Sequence, residues 1–172
     1  MQDYEEGTWD WSTGDPRWVQ PHESLLQDAL HSWKGDPVDM RLHMQHERAG
    51  EPQPSSGGGK KMRAQAAALI REMETNARLN PQALYRGSHR EPQGYQAYSE
   101  SRAVANTWAK RHNKYRQTQG AHGYDVAEPA TTRVARKGTV RGIRISDYAG
   151  HGGLDQVERE WIIDHHMGDQ FQ

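Results

Sequence analysis

The sequence contains no cysteine. That excludes disulfides and thiolate-bound zinc. It also has little apolar material: 33% of its 172 residues are hydrophobic, and the mean hydropathy is -1.11. No apolar run approaches the roughly 20 residues needed to cross a bilayer. The first six residues, Met1 to Glu6, are acidic and lack an apolar h-region, so they are no secretory signal. The expectation is a soluble cytoplasmic protein. Phenylalanine is almost missing, with one residue, but six Trp and seven Tyr stand in its place. Large aromatics bury much area each, so a thin core can still hold. The length fits one domain with an appendage, and the polarity predicts many loops and some disorder.

The net charge is -1 but is unevenly spread. Residues 1–30 hold seven acids and one base, while residues 101–145 hold ten bases and two acids. A basic middle either attracts a polyanion, such as nucleic acid or a phosphate-bearing ligand, or is a solvated face.

Residues 1–20 are acidic and carry Trp9, Trp11 and Trp18 among Gly, Asp and Pro, without a period. Residues 22–33 space Leu26, Leu30 and Trp33 at helical intervals, and 38–48 form a second short helix. Ala49 to Gly59 reads as a linker by composition. It divides a region 1–59 from a second region, 60–172. Gly57-Gly58-Gly59-Lys60-Lys61 is no phosphate loop, because its glycine spacing is wrong, no Ser or Thr follows the lysine and no strand precedes it. Residues 61–79 form the clearest helix, with a stripe of Met62, Ala66, Leu69, Ile70, Met73 and Ala77. Strands follow at 83–87, 95–99, 131–136, 139–146 and 157–163. Ser101 caps a helix whose inward face holds Val104, Ala105, Trp108 and Ala109. Helices precede strands without regular alternation, which predicts an α+β fold.

Three segments carry chemistry. In Val157 to Ile163, strand alternation would put Glu158, Glu160 and Ile162 on one face, with the two carboxylates roughly 6–7 Å apart. Such a pair suits an active-site rim or a solvated edge strand. In Leu84-Tyr85-Arg86-Gly87 an arginine interrupts an apolar strand; it serves a phosphate or a structural ion pair. Gly87 would let a ligand approach the backbone. In Tyr98-Ser99-Glu100-Ser101 a hydroxyl at a strand-to-helix junction orients a carboxylate or caps the helix. Capping alone explains Ser101, and Glu100 alternates away from Ser99.

In that order, these three segments resemble the Arg-Ser-Glu class of ADP-ribosyltransferases over residues 60–165. The resemblance implies a split two-sheet β core around an NAD cleft, preceded by the N-terminal helices. It implies that Arg86 grips the NAD phosphates, that Gly87 offers backbone to the nicotinamide amide, and that Tyr98 lines the nicotinamide pocket. Ser99 and Ser101 stand as the two serines of the Ser-x-Ser motif, Glu160 as the catalytic glutamate, and Glu158 as the acid that goes with arginine as acceptor. Residues 147–154 stand as the loop that reads the acceptor. The implied activity is transfer of ADP-ribose from NAD to a target protein, or hydrolysis of NAD at the same site. By family analogy alone the chain would be a phage-borne or bacterial effector or toxin. The related His-Tyr-Glu class fits poorly, since its histidine would have to be His89, past the strand.

Two other classes are open. A non-catalytic module would use residues 101–145 to hold nucleic acid or an acidic protein. A nuclease would draw on the scattered histidines and acids. The ten histidines form no His-Glu-x-x-His helix, although His165-His166 offers an opportunistic metal site; no functional metal is expected. A serine hydrolase lacks its Gly-x-Ser-x-Gly elbow.

Overall fold

The computed structural model describes residues 21–88, 92–123, 129–148 and 158–167. The Trp-rich residues 1–20 therefore lie outside the described part, as does His89. The chain divides into two compact units, 1–76 and 77–172.

Among the described residues the first unit contains three helices, α1 (His22–Gly35), α2 (Pro37–Arg48) and α3 (Gly57–Asn76). The stop between α1 and α2 is local chemistry. Asp36 leaves helical geometry, its side chain accepts the Asp39 N–H, and Pro37 opens the next helix, where a missing N–H costs nothing. Leu26, Leu30 and Trp33 of α1, Met40 and Met44 of α2, and Ala66, Leu69 and Met73 of α3 are buried. Removing eight such side chains from water is the main favourable term for this unit. Arg63 is also buried, and its guanidinium is met by the end of α2 and the segment after it: Nε donates to Glu47 at 2.9 Å, Nη1 to the Pro52 carbonyl at 3.2 Å and Nη2 to the Glu51 carbonyl at 2.8 Å. A charge buried at that depth is tolerable because each face of its fork is met.

The glycines at the Gly59/Lys60 boundary are helical, not a linker. Gly57, Gly58 and Gly59 are the first turn of α3, with the Gly59 N–H donating to Ser56 Oγ at 3.0 Å. A Cβ on Gly59 would stand 2.6 Å from Pro54 Cβ, so glycine is required by the chain folding back on itself. Because α3 packs on α1 and α2, it belongs with them, and the division falls at Asn76/Ala77.

The second unit is built from strands β1 (Arg78–Leu79), β2 (Leu84–Ser88), β3 (Tyr95–Ser99), β4 (Thr131–Ala135), β5 (Arg141–Arg144) and β6 (Glu160–Asp164), with helix α4 (Arg102–Ala121) between β3 and β4. The fold is α+β, as the order of helices and strands predicts. The strands form one open antiparallel sheet in the order β1-β5-β6-β3-β2-β4, rather than two separate sheets. Its middle is narrow, however. β3 pairs with β6 over five residues and β2 with β4 over five, but among the described residues β2 and β3 meet only at Tyr85 opposite Ser99. The sheet is thus two ladders held by one rung.

Paired residues of antiparallel strands share a face. One face carries Tyr85, Gly87, Ala97, Ser99, Glu160 and Ile162. The other carries Leu84, Arg86, Tyr98, Trp161 and Ile163. Leu84, Tyr98, Trp161 and Ile163 form a buried cluster with Ala135 and Val140 on that second face. α4 covers the first face over β2. A Cβ on Gly87 would lie 2.3 Å from the Ala105 carbonyl oxygen and 2.5 Å from the Ala109 nitrogen. Gly87 therefore admits the helix backbone and not, on that face, a ligand. On α4, Ala105 and Ala109 are buried as expected, but Trp108 is 42% exposed. The expected inward face is too wide: of those four residues only the two alanines are buried.

Replacing Gly87 with Ala should destabilise the protein by about 1–3 kcal/mol through overpacking against rigid helix backbone. A urea melt reads the loss; an unchanged midpoint would mean α4 can lift off β2 at no cost.

Candidate active site

Three of the sequence-predicted residues lie on three adjacent strands: Arg86 on β2, Ser99 on β3 and Glu160 on β6. Ser99 and Glu160 are directly paired. Both are buried, with 6% and 8% of their surface exposed. Arg86 is one register step away from the Tyr85–Ser99 rung and on the opposite face. It is half-buried, and its Nη1 donates to the Ala97 carbonyl of β3 at 2.8 Å. Where the ladder between β2 and β3 has stopped, this side chain reaches across to the next strand.

Ser99 acts through backbone. Its hydroxyl donates to the Glu158 carbonyl and accepts the Ser101 N–H at 2.9 Å. One side chain so ties the start of α4 to the turn that leads into β6. Ser101 is the N-cap of α4, its Oγ accepting the Val104 N–H at 3.3 Å.

Glu158 departs from the expected alternation. β6 begins at Glu160, Glu158 lies in a turn, and Arg159 adopts φ 47°, a left-handed conformation uncommon for residues with a Cβ. The two-residue period does not run through such a position, so Glu158 and Glu160 do not share a strand face. Of the expected acceptor loop 147–154, only Asp147 and Tyr148 are described. Asp147 pairs with Arg78.

Two residues join the site without having been singled out for it. Glu100, the middle of Ser-x-Ser, does alternate away from Ser99, and its side chain is only 3% exposed. Its oxygens accept Trp161 Nε1 at 2.9 Å, meet Arg144 Nε at 2.8 Å and lie 3.6 Å from Arg159 Nε. It holds β3, β5 and the approach to β6 together from the face opposite Ser99. The sequence signal was present, since an acid two residues after Tyr98 lies on the Tyr98 face; its partners are far along the chain.

His165 follows β6 directly. Its Nε2 lies 3.3 Å from Tyr98 Oη, with the two rings 5.7 Å apart. Burial, then the positive charge of Arg86, lower its pKa to about 4, against a partial opposing pull from Asp164. At neutral pH it is an uncharged imidazole. Arg86, Tyr98 and His165 thus share one environment on one face. His166 turns the other way, to Asp164 Oδ1 at 2.7 Å and the Tyr95 ring at 5.2 Å. The pair of histidines does not converge, and among the described residues no cluster could hold a metal.

A histidine held neutral in the fold must bind a proton more readily once unfolded, so its contribution to stability is present above about pH 6.5 and is lost as pH falls toward about 4. The stability difference between wild type and His165→Gln, read from urea midpoints, should shrink across that window. A difference independent of pH would contradict the buried neutral imidazole.

Comparison of the chain with protein-family models, with curated proteins and with solved structures finds no match.

Proposed function

We propose that the protein is an NAD-dependent mono-ADP-ribosyltransferase that modifies a target protein, with arginine as the acceptor. One observation carries this reading. Arg86, Ser99 and Glu160 stand on neighbouring strands around the single rung that joins the two halves of the sheet. In this reading the dinucleotide lies across the sheet next to that rung, reaching Arg86 on one face and Glu160 on the other.

In this reading the guanidinium of Arg86, whose planar fork suits paired phosphate oxygens, takes the pyrophosphate. The neutral His165 borders it, while Tyr98, buried in the core cluster, lines no pocket among the described residues and only backs His165. Glu160, held in register by Ser99, places its carboxylate beside the ribose. Cleavage of the bond between ribose and nicotinamide sends the electron pair to nicotinamide and leaves positive charge on the sugar; a fixed carboxylate stabilises that charge. A guanidine nitrogen of the acceptor then bonds to the ribose carbon and loses a proton. Glu158 is the acid assigned to orient the acceptor and take that proton. Most of the acceleration comes from positioning and electrostatics.

The position of Glu158 in a turn, off the Glu160 face, favours one alternative. With no second carboxylate beside the first, water replaces the acceptor and the enzyme is an NAD glycohydrolase.

Transfer of label from NAD to protein in a cell lysate separates the two. Wild type is expected to label a band, and Glu160→Gln should reduce labelling about a hundredfold or more. Glu158→Gln should lose labelling while still releasing nicotinamide. Nicotinamide release without any labelled band, in wild type, means glycohydrolase. Neither product from wild type sinks both readings.

A further inference from the structure

The exposed side of α4 has no place in the NAD chemistry. The helix carries five Lys and Arg residues and no acid. At 3.6 residues per turn, Trp108, Arg111 and Tyr115 fall within about 60° of one another, with Lys114 and then Lys110 next to them. Trp108 is 42% and Tyr115 66% exposed, and Lys110, Arg111 and Lys114 are exposed as well. The Arg111 guanidinium sits 5.0 Å from the centre of the Trp108 ring, which orders the ring and sets a charge beside it.

This face is unfavourable for a helix left alone. Lys110 and Lys114 are like charges at i,i+4, which repel, where an opposite pair would support the helix. Two large aromatics stand in water on the same side. Both costs fall if an anionic chain with flat apolar groups covers the face. Phosphates answer the lysines and Arg111; bases answer Trp108 and Tyr115. The rings are seven residues apart, about 10 Å along the axis, or about three nucleotides at ~3.4 Å each.

We propose that this face of α4 binds single-stranded nucleic acid, by phosphate contacts from Lys110, Arg111 and Lys114 and base stacking on Trp108 and Tyr115. The proposal is independent of the NAD reading. A base in a duplex is not open to stacking on a side chain, and an acidic protein has phosphates' charge without their bases. Stacking is tolerant of sequence, so no base preference is expected.

The test is fluorescence anisotropy of the full chain with a labelled oligodeoxythymidine of about 16 nucleotides. Wild type should bind with an affinity that falls as salt rises, with a log–log slope near -2 for about three phosphate contacts. Trp108→Ala and Tyr115→Ala should each weaken binding about tenfold. Trp108→Phe should restore most of it, and all three should show wild-type circular dichroism, since the side chains are exposed. The double variant Lys110→Ala/Lys114→Ala should lower the slope by about 1.4. Failure to bind, or binding indifferent to both aromatic substitutions, overturns the proposal. So does a duplex or a polyglutamate competitor that displaces the strand as well as unlabelled single strand does.

Discussion

Among the described residues a single rung, Tyr85 opposite Ser99, joins the two ladders of the sheet. Everything placed at the candidate site depends on that joint. The β3–β6 ladder sets Ser99 beside Glu160 on one face, and the rung brings Arg86 of β2 up to the same strand β3 on the other. The joint is braced rather than strong. On one face Ser99 Oγ ties Glu158 to Ser101. On the other, Glu100 gathers Trp161 and Arg144. Across the gap, Arg86 donates to the Ala97 carbonyl. The helix α4 closes over β2 because Gly87 has no side chain to hold it away.

A joint of this kind reconciles two demands. The proposed site needs strands that part, and strands that part leave backbone groups without a ladder. Here side chains supply some of the missing connections, and they are the residues to which chemistry is assigned. Arg86 and Ser99 therefore have structural work whatever they bind. A variant at either position reports on both roles, which is why the sharper probe of catalysis is Glu160. His165 adds a further constraint: a neutral imidazole next to an arginine keeps the region free of a second positive charge at neutral pH.

Much of this was legible from the chain. The helical period of Leu26, Leu30 and Trp33, the strands at Leu84 and Tyr95, and the Ser101 cap are local signals, and the structure follows them. The long-range features were not. Nothing local says that Gly57 to Gly59 begin a helix, since glycine-rich composition reads as linker until Ser56 and Pro54 are seen folded against it. Glu158 was misplaced because alternation was carried through Arg159, whose left-handed backbone breaks the period. Trp108 was assigned inward by its spacing, but α4 meets Gly87 through Ala105 and Ala109, which leaves Trp108 exposed. Glu100 and His165 could be recognised only with their distant partners, Trp161 and Tyr98, in view.

The central claim is that the fork beside the Tyr85–Ser99 rung is an NAD site. Calorimetric titration of NAD into Glu160→Gln tests it most directly, because substrate survives in that background. Binding is predicted, and adding Arg86→Lys should weaken it about tenfold or more, since lysine keeps the charge but loses the bidentate fork. No heat of binding, or an affinity unchanged by Arg86→Lys in a protein that still folds, would contradict it.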